Sequence, residues 1–203
     1  MKTLIVTGGT GMLGQAVVKH LSTQYNCVVL ARETGVDLSD EDSVRTAVDA
    51  AAKGGLYGLV HLVGGFAMGS VEQSDQATWS RMLSMNLITT VNCAKAVLPH
   101  LKDQGGRIVA VSAAASRTLP AGMAAYVVSK AAVNAFIQTL AGELKGSGIT
   151  VNAVLPTTLD TPLNRASMDP TALVPLERVA ETIAFLLSEQ AGNVSGALVP
   201  LTG

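Results

Sequence analysis

The sequence predicts an α/β domain, a doubly wound parallel sheet with helices on both faces in a three-layer α/β/α arrangement. Two observations predict it. Short apolar or β-branched runs alternate with helical patterns from the first residue onward, and most gaps between successive runs are long enough to hold a helix, which is what parallel pairing requires. The chain has 203 residues, so we read 1–203 as a single domain with one core.

Taken in order, Thr3–Thr7 predicts a strand and Met12–Thr23 a helix, followed by a second strand at Cys27–Ala31. A short third strand is expected in Thr34–Leu38, and Ser39–Lys53 predicts a helix with Ser39 or Asp40 as its N-cap. Leu59–Val63 is the next strand, Gln76–Leu101 one long helix, and Arg107–Ser112 a strand. Ala124–Lys145 predicts a helix ended by Gly146, then come a strand at Ile149–Leu155, a helix at Pro175–Ser188 and a last strand at Ala197–Leu201. Between these lies a stretch at about 157–175 that we expect to close over a substrate.

Hydrophobic residues make up 48% of the chain and charged ones 14%, a composition that excludes disorder. Lys and Arg number 14 against 15 Asp and Glu, with no basic block, so a nucleic-acid partner has no electrostatic footprint. The longest run without Asp, Glu, Lys or Arg is the 18 residues from Gly54 to Val71, too glycine-rich for a spanning helix, so no membrane association is expected. Cys27 and Cys93 lie far apart, which points to a reduced, cytoplasmic protein. His20, His61 and His100 are too scattered for a metal set, and no metal is expected. Gly146-Ser147-Gly148 follows a helix rather than a strand and reads as a helix-ending turn, not a nucleophile elbow. Trp79 and Met82, three apart on the long helix, read as core.

Two helices are apolar on more than one face. Lys130 is the only charged residue between Thr118 and Gly142, and the 82–98 stretch carries Met82, Met85, Leu87, Ile88, Val91, Ala94 and Val97. Such helices need cover on both sides. We expect a homodimer or homotetramer built on helices 76–101 and 124–145, a loop of the same chain being the other possible cover.

The run from Leu4 to Gly14 places a glycine-rich turn between the first strand and first helix. Gly8 permits the tight turn, Gly11 lets backbone approach a pyrophosphate, and Gly14 allows close helix packing, while the helix N-terminus offers free N–H groups to the anion. Arg32 closes the second strand, where a guanidinium suits the 2′-phosphate of NADP(H); NAD(H) remains possible, and a solvated pair with Glu33 is the alternative reading of Arg32. Tyr126 and Lys130, four apart, share one helix face. Bringing a phenol from about 10 to about 7 needs roughly 4 kcal/mol. An ammonium about 4 Å away supplies roughly that at an effective dielectric of about 20. Lys130 could thereby make Tyr126 a general acid/base.

Together these residues resemble the short-chain dehydrogenase/reductase family across essentially the whole chain. Thr7-Gly8-x-x-Gly11-x-x-Gly14 matches the cofactor turn at the spacing of the extended branch, with Met12 where the main branch has its middle glycine. His61-Leu62-Val63-Gly64 stands where the family has Asn-Asn-Ala-Gly and matches only the glycine. Asn86, Tyr126-x-x-x-Lys130, the stretch Asn152–Thr161 and the tail Ser195–Gly203 complete the resemblance. It implies a Rossmann-type fold and an NAD(P)-dependent oxidoreductase acting on a small-molecule substrate. Tyr126 would be the acid, Lys130 would also hold the nicotinamide ribose, Asn86 would position a relay water, and Ser112 would assist. Cofactor contacts are implied for Gly8, Thr10, Gly11, Met12, Leu13, Gly14, Arg32, Asp37, Leu38, Val63, Gly64, Gly65, Tyr126, Lys130, Pro156, Thr157, Thr158 and Thr161.

One departure stands out. The family's catalytic serine lies about thirteen positions before the tyrosine, where this chain has Ala113; Ser112 either reaches the site through a kink or bonds to backbone. The alanine, the short connection after the second strand and Val63-Gly64-Gly65-Phe66 are similar to the dihydropteridine-reductase-like branch, whose substrates include quinonoid and conjugated compounds. A catalytically silent dinucleotide sensor is the second reading. A nucleotide-sugar epimerase fails for want of residues after Pro156.

Overall fold

The structure, a computed structural model, describes residues 1–203. Six strands form one parallel sheet in the order β2-β1-β3-β4-β5-β6: β1 Lys2–Thr7, β2 Tyr25–Leu30, β3 Gly58–His61, β4 Gly106–Val111, β5 Ile149–Pro156 and β6 Leu198–Leu201. Apolar side chains alternate along each strand, so Ile5 faces one helical layer and Leu4 and Val6 the other. The larger core buries 22 residues, including Val44 and Val48 of α2 (Glu41–Ala51), Val97 of α4 (Thr89–Leu101) and Ile137 of α6 (Ala124–Glu143). The smaller buries 15, including Val17 of α1 (Met12–Leu21) and Ile183 of α8 (Leu176–Leu187). This is the three-layer α/β/α architecture expected. No helix is long and apolar enough to cross a membrane.

Two expectations are corrected. Thr34–Leu38 forms no strand. The chain turns through a 3₁₀ turn at Arg32–Thr34 and a left-handed Gly35, with φ of 81°, and curls back on the end of β2. There the Thr34 hydroxyl accepts from the Ala31 N–H at 2.9 Å, and the Val36 N–H donates to the Ala31 carbonyl at 3.1 Å. The N–H and carbonyl of Ala31 are thus spent on the turn, the chain leaves the sheet there, and β2 is its edge. The long helix is also interrupted: α3 (Gln76–Leu83) runs into a π-turn, Ser84–Ile88, before α4. The Thr89 hydroxyl donates to the Met85 carbonyl at 2.8 Å and that of Thr90 to the Asn86 carbonyl at 2.6 Å. Hydroxyls that bond four residues back compete with the helix ladder and bend it. Two short helices the periodicity did not show, α5 (Ala115–Thr118) and α7 (Pro162–Arg165), flank the mouth of the sheet.

Candidate active site

Parallel strands leave a crevice at their carboxyl ends, and here it begins where β1 meets α1. Gly8 adopts a φ of 69°, and a Cβ on Gly14 would stand 2.1 Å from the Gly8 carbonyl oxygen, so both positions of the turn require glycine. Gly11 caps α1 without any side-chain acceptor, which leaves the first-turn N–H groups to meet a ligand. A cleft of about 340 Å³ opens over this turn. It gathers Gly8, Thr10, Gly11, Arg32, Asp37, Leu38, Val63 and Gly64, all expected from the sequence. Ala31, Glu33, Ser39, Leu62, Ser84, Met85 and Thr89 also line it, and sequence reasoning did not place them there. Met12, Leu13, Gly14, Gly65, Pro156, Thr157, Thr158 and Thr161 do not line this cleft.

At its outer end Arg32 is exposed and no carboxylate lies within salt-bridge distance of its guanidinium. The pair with Glu33 is not formed: Glu33 instead accepts from the Thr10 hydroxyl at 3.1 Å. Asp37 is held below the ordinary carboxylate range by the Ser39 hydroxyl and backbone N–H, which donate to it at 2.6 and 2.9 Å, with Arg32 adding a smaller pull. Backbone N–H groups, a free guanidinium and a glycine-lined floor fit a dinucleotide.

At the inner end α6 brings Tyr126 and Lys130 to one face. Lys130 is buried, and its Nζ donates to the Val111 carbonyl at the end of β4 at 2.9 Å. Burial pulls this ammonium down to about 8. The same ammonium meets the floor of the cleft, since a Cβ on Gly64 would lie 2.9 Å from its Nζ and 2.7 Å from Asn86 Oδ1. Tyr126 is half-buried, with the Phe66 ring edge-on at 4.9 Å. Burial pushes its phenol above its ordinary value. This corrects the expectation that Lys130 lowers it, because the ammonium is directed at Val111.

Asn86 sits in the π-turn, completely buried. Its amide clamps Gly65, accepting from the N–H at 2.8 Å and donating to the carbonyl at 3.2 Å, and also donates to the Ser129 hydroxyl at 2.8 Å. Ser129 in turn donates to the Tyr126 carbonyl at 2.7 Å. Its place one residue before Lys130 was visible in the sequence, though nothing there gave it a task. Ser112 is buried and its hydroxyl donates to the Lys130 carbonyl at 3.2 Å. Of the two roles left open for Ser112, this geometry matches the backbone-bonded one, and Ala113 is buried beside it.

The 157–175 stretch folds back on itself. Thr158 accepts from the Val174 N–H at 2.8 Å, and Thr161 caps α7 through the Asn164 N–H at 3.3 Å. Thr157 donates its N–H to the Leu201 carbonyl at 2.9 Å, which ties the stretch to β6. Asp160 and Arg165 form an ion pair on its surface, and Leu163 stands 81% exposed.

Comparison with known proteins agrees with this geometry. The family profile described as enoyl-(acyl carrier protein) reductase matches residues 3–203. A trans-4-hydroxycyclohexanecarboxylate dehydrogenase of Sinomonas cyclohexanicum is 31% identical over 94% of this chain and 78% of its own length. A protein of Xanthobacter autotrophicus named inactive 2-(S)-hydroxypropyl-CoM dehydrogenase 2 is 33% identical over 83% of this chain and 82% of its own. The solved structure of a short-chain type dehydrogenase/reductase from Mycobacterium ulcerans superposes with a TM-score of 0.88 at 26% identity, covering 98% of this chain and 88% of that one.

Proposed function

The chain belongs to the short-chain dehydrogenase/reductase family of NAD(P)-dependent oxidoreductases, and from that premise we propose that it is an NADP(H)-dependent reductase of a small carbonyl, quinonoid or conjugated substrate. The observation that carries this reading is the joining of two features in one crevice: a glycine-floored dinucleotide cleft, and a Tyr126–Lys130 pair whose ammonium reaches that floor at Gly64.

When bound, the nicotinamide would supply the hydride for reduction of the substrate's electrophilic carbon. Gly8, Thr10 and Gly11 would hold the pyrophosphate and Arg32 the 2′-phosphate; the unpaired guanidinium supports the NADP(H) preference. Tyr126 gives its proton to the oxygen or nitrogen that gains the electron pair. A phenol held above its ordinary value is protonated at neutral pH, and this suits it to act as the acid of a reduction. Lys130 would hold the nicotinamide ribose, and with an ammonium near 8 it could return a proton to the tyrosinate by way of water after each turnover. Asn86 fixes Gly65 and, through Ser129, the Tyr126 turn, so that its side chain orders the site; a relay water would rest on the π-turn it occupies. Ala113 removes the usual second hydroxyl, and the conjugated or quinonoid class is favoured because such substrates accept hydride with less polarisation of their oxygen.

The oligomer belongs to the same reading. Ile88 of the π-turn and Val128 of α6 are 42% and 47% exposed and lie on the two helices expected to meet a second subunit. We place the enzyme in the cytoplasm, a reading supported by its two free cysteines. The experiment that tests the function is NADPH oxidation against aldehydes, ketones, quinones including 2-methyl-1,4-naphthoquinone, and quinonoid dihydropterins. Turnover of one class identifies the substrate. No turnover of any, with NADPH bound normally, would favour a dinucleotide sensor instead.

A further inference from the structure

His61 ends β3 with its side chain wholly buried, and the chemistry proposed above gives it no task. Its ring lies between two threonines. Nδ1 is 2.9 Å from the hydroxyl of Thr7, the last residue of β1 and the one before the glycine turn. Nε2 is 3.3 Å from the hydroxyl of Thr89, where the π-turn becomes α4. The proton positions follow from the partners. Thr89 spends its one proton on the Met85 carbonyl at 2.8 Å, so toward His61 its oxygen can only accept. Nε2 therefore carries the ring proton, and Nδ1 accepts from the Thr7 hydroxyl. That hydroxyl oxygen also receives the Leu62 N–H at 3.3 Å. Each hydrogen-bonding atom of the imidazole is satisfied in one tautomer.

The two ends of this bridge belong to different halves of the site. Thr7 leads the turn that would hold the pyrophosphate. Thr89 anchors the segment whose Asn86 reaches Tyr126 through Ser129 at 2.8 and then 2.7 Å. We infer that His61 is a positioning residue, a neutral Nε2–H imidazole that fixes the dinucleotide-binding turn relative to the π-turn and so aligns a bound nicotinamide with the proton donor. The inference rests on the functional reading above. Neutrality is built in, since burial and the Lys130 ammonium push the ring down to about 3. A cationic ring here would face that ammonium across the crevice floor and would have no proton-accepting nitrogen left for Thr7.

The test uses the NADPH-bound protein. Long-range proton–nitrogen correlation spectra of labelled protein, with His61 assigned by its loss in His61→Gln, should show Nε2 protonated and Nδ1 bare from about pH 5.5 to about 8.5. The opposite tautomer, or an imidazolium in that range, overturns the proposal. His61→Leu, which keeps the bulk and loses both bonds, should lower the rate of 2-methyl-1,4-naphthoquinone reduction about tenfold or more while the NADPH Kd moves less than about threefold. His61→Gln, with one acceptor and one donor at similar reach, should recover most of that rate. Equal losses in Leu and Gln, or a Kd that rises in step with the loss of rate, overturn it. Should His61→Leu fail to fold, Thr7→Val, which cuts the β1 end of the bridge and leaves the Thr89–Met85 bond of the π-turn in place, must show the same split. Should the wild type reduce no quinone, the functional reading loses that substrate class, and the frame is then decided by fluorescence anisotropy of bound NADPH. It should drop in the Leu variant; an unchanged value overturns the proposal.

Discussion

Replacing Lys130 by Met should change how stability depends on pH, and the size of the effect follows from where the ammonium sits. In the fold its titration is drawn from the ordinary 10.5 to about 8 because the side chain is buried against β4 with one carbonyl as its partner. The gap corresponds to roughly 3 kcal/mol of penalty on the charged form. Below about pH 8 both folded and unfolded chains hold this proton, and the whole penalty is felt. Between about 8 and 10.5 the unfolded chain binds more protons than the folded one, so this group's contribution to stability rises with pH. Cys93, pushed up to about 12 by burial, and Tyr126, also raised, slope the opposite way, but they are present in both proteins. The readout is therefore the difference between wild type and Lys130→Met in thermal melts followed by circular dichroism, without cofactor. The difference should shift in favour of the wild type by roughly 6–12 °C across that range, at about 2–4 °C per kcal/mol for a chain of this size. Parallel curves would show that Lys130 is not desolvated, and the proton-return step assigned to it would lose its basis.

Three further outcomes follow. Arg32→Ala should weaken NADPH binding about ten- to hundredfold, or roughly 1.5–3 kcal/mol, and leave NADH nearly unchanged; fluorescence titration with both cofactors decides it, and equal losses would point to Glu33 or backbone instead. Ser112→Ala should cost less than about tenfold in turnover, under about 1.4 kcal/mol, because its hydroxyl is spent on the Lys130 carbonyl; a loss near a thousandfold would place it on the substrate. Val128→Glu, at a position already 47% exposed, should leave the fold intact and dissociate the proposed oligomer in light scattering, since a charge set within an apolar interface is left unpaired. A wild-type monomer at micromolar concentration would remove that interface altogether.

The parts of this fold that sequence made legible are those governed by periodicity. The apolar runs that become β1, β3, β4 and β5 announce themselves, and so do the glycines that let α1 start against β1. What escaped depends on side chains bonding to backbone across short distances. Thr89 and Thr90 look like ordinary helix residues, yet their hydroxyls take the Met85 and Asn86 carbonyls and open the π-turn that holds Asn86. Thr34 turns the chain back at the end of β2, so that five residues suggesting a strand make a turn instead. For the site, the spacing of Tyr126 and Lys130 correctly put both on one helix face. It could not show that the ammonium is directed at Val111, because that carbonyl comes from the end of a strand far away in sequence. Glu33 was read against its neighbour Arg32, whereas it pairs with Thr10 across the turn.

The central claim, that Tyr126 is the proton donor beside a dinucleotide cleft, is tested most directly by Tyr126→Phe. Single-turnover oxidation of bound NADPH is measured with whichever substrate class the wild type reduces, alongside the NADPH dissociation constant of both proteins. Because the phenol serves the transition state rather than the bound cofactor, the account predicts that reduction is abolished while affinity for NADPH is nearly intact. Undiminished reduction in Tyr126→Phe would contradict it, leaving only the cofactor-binding half of the site with a function.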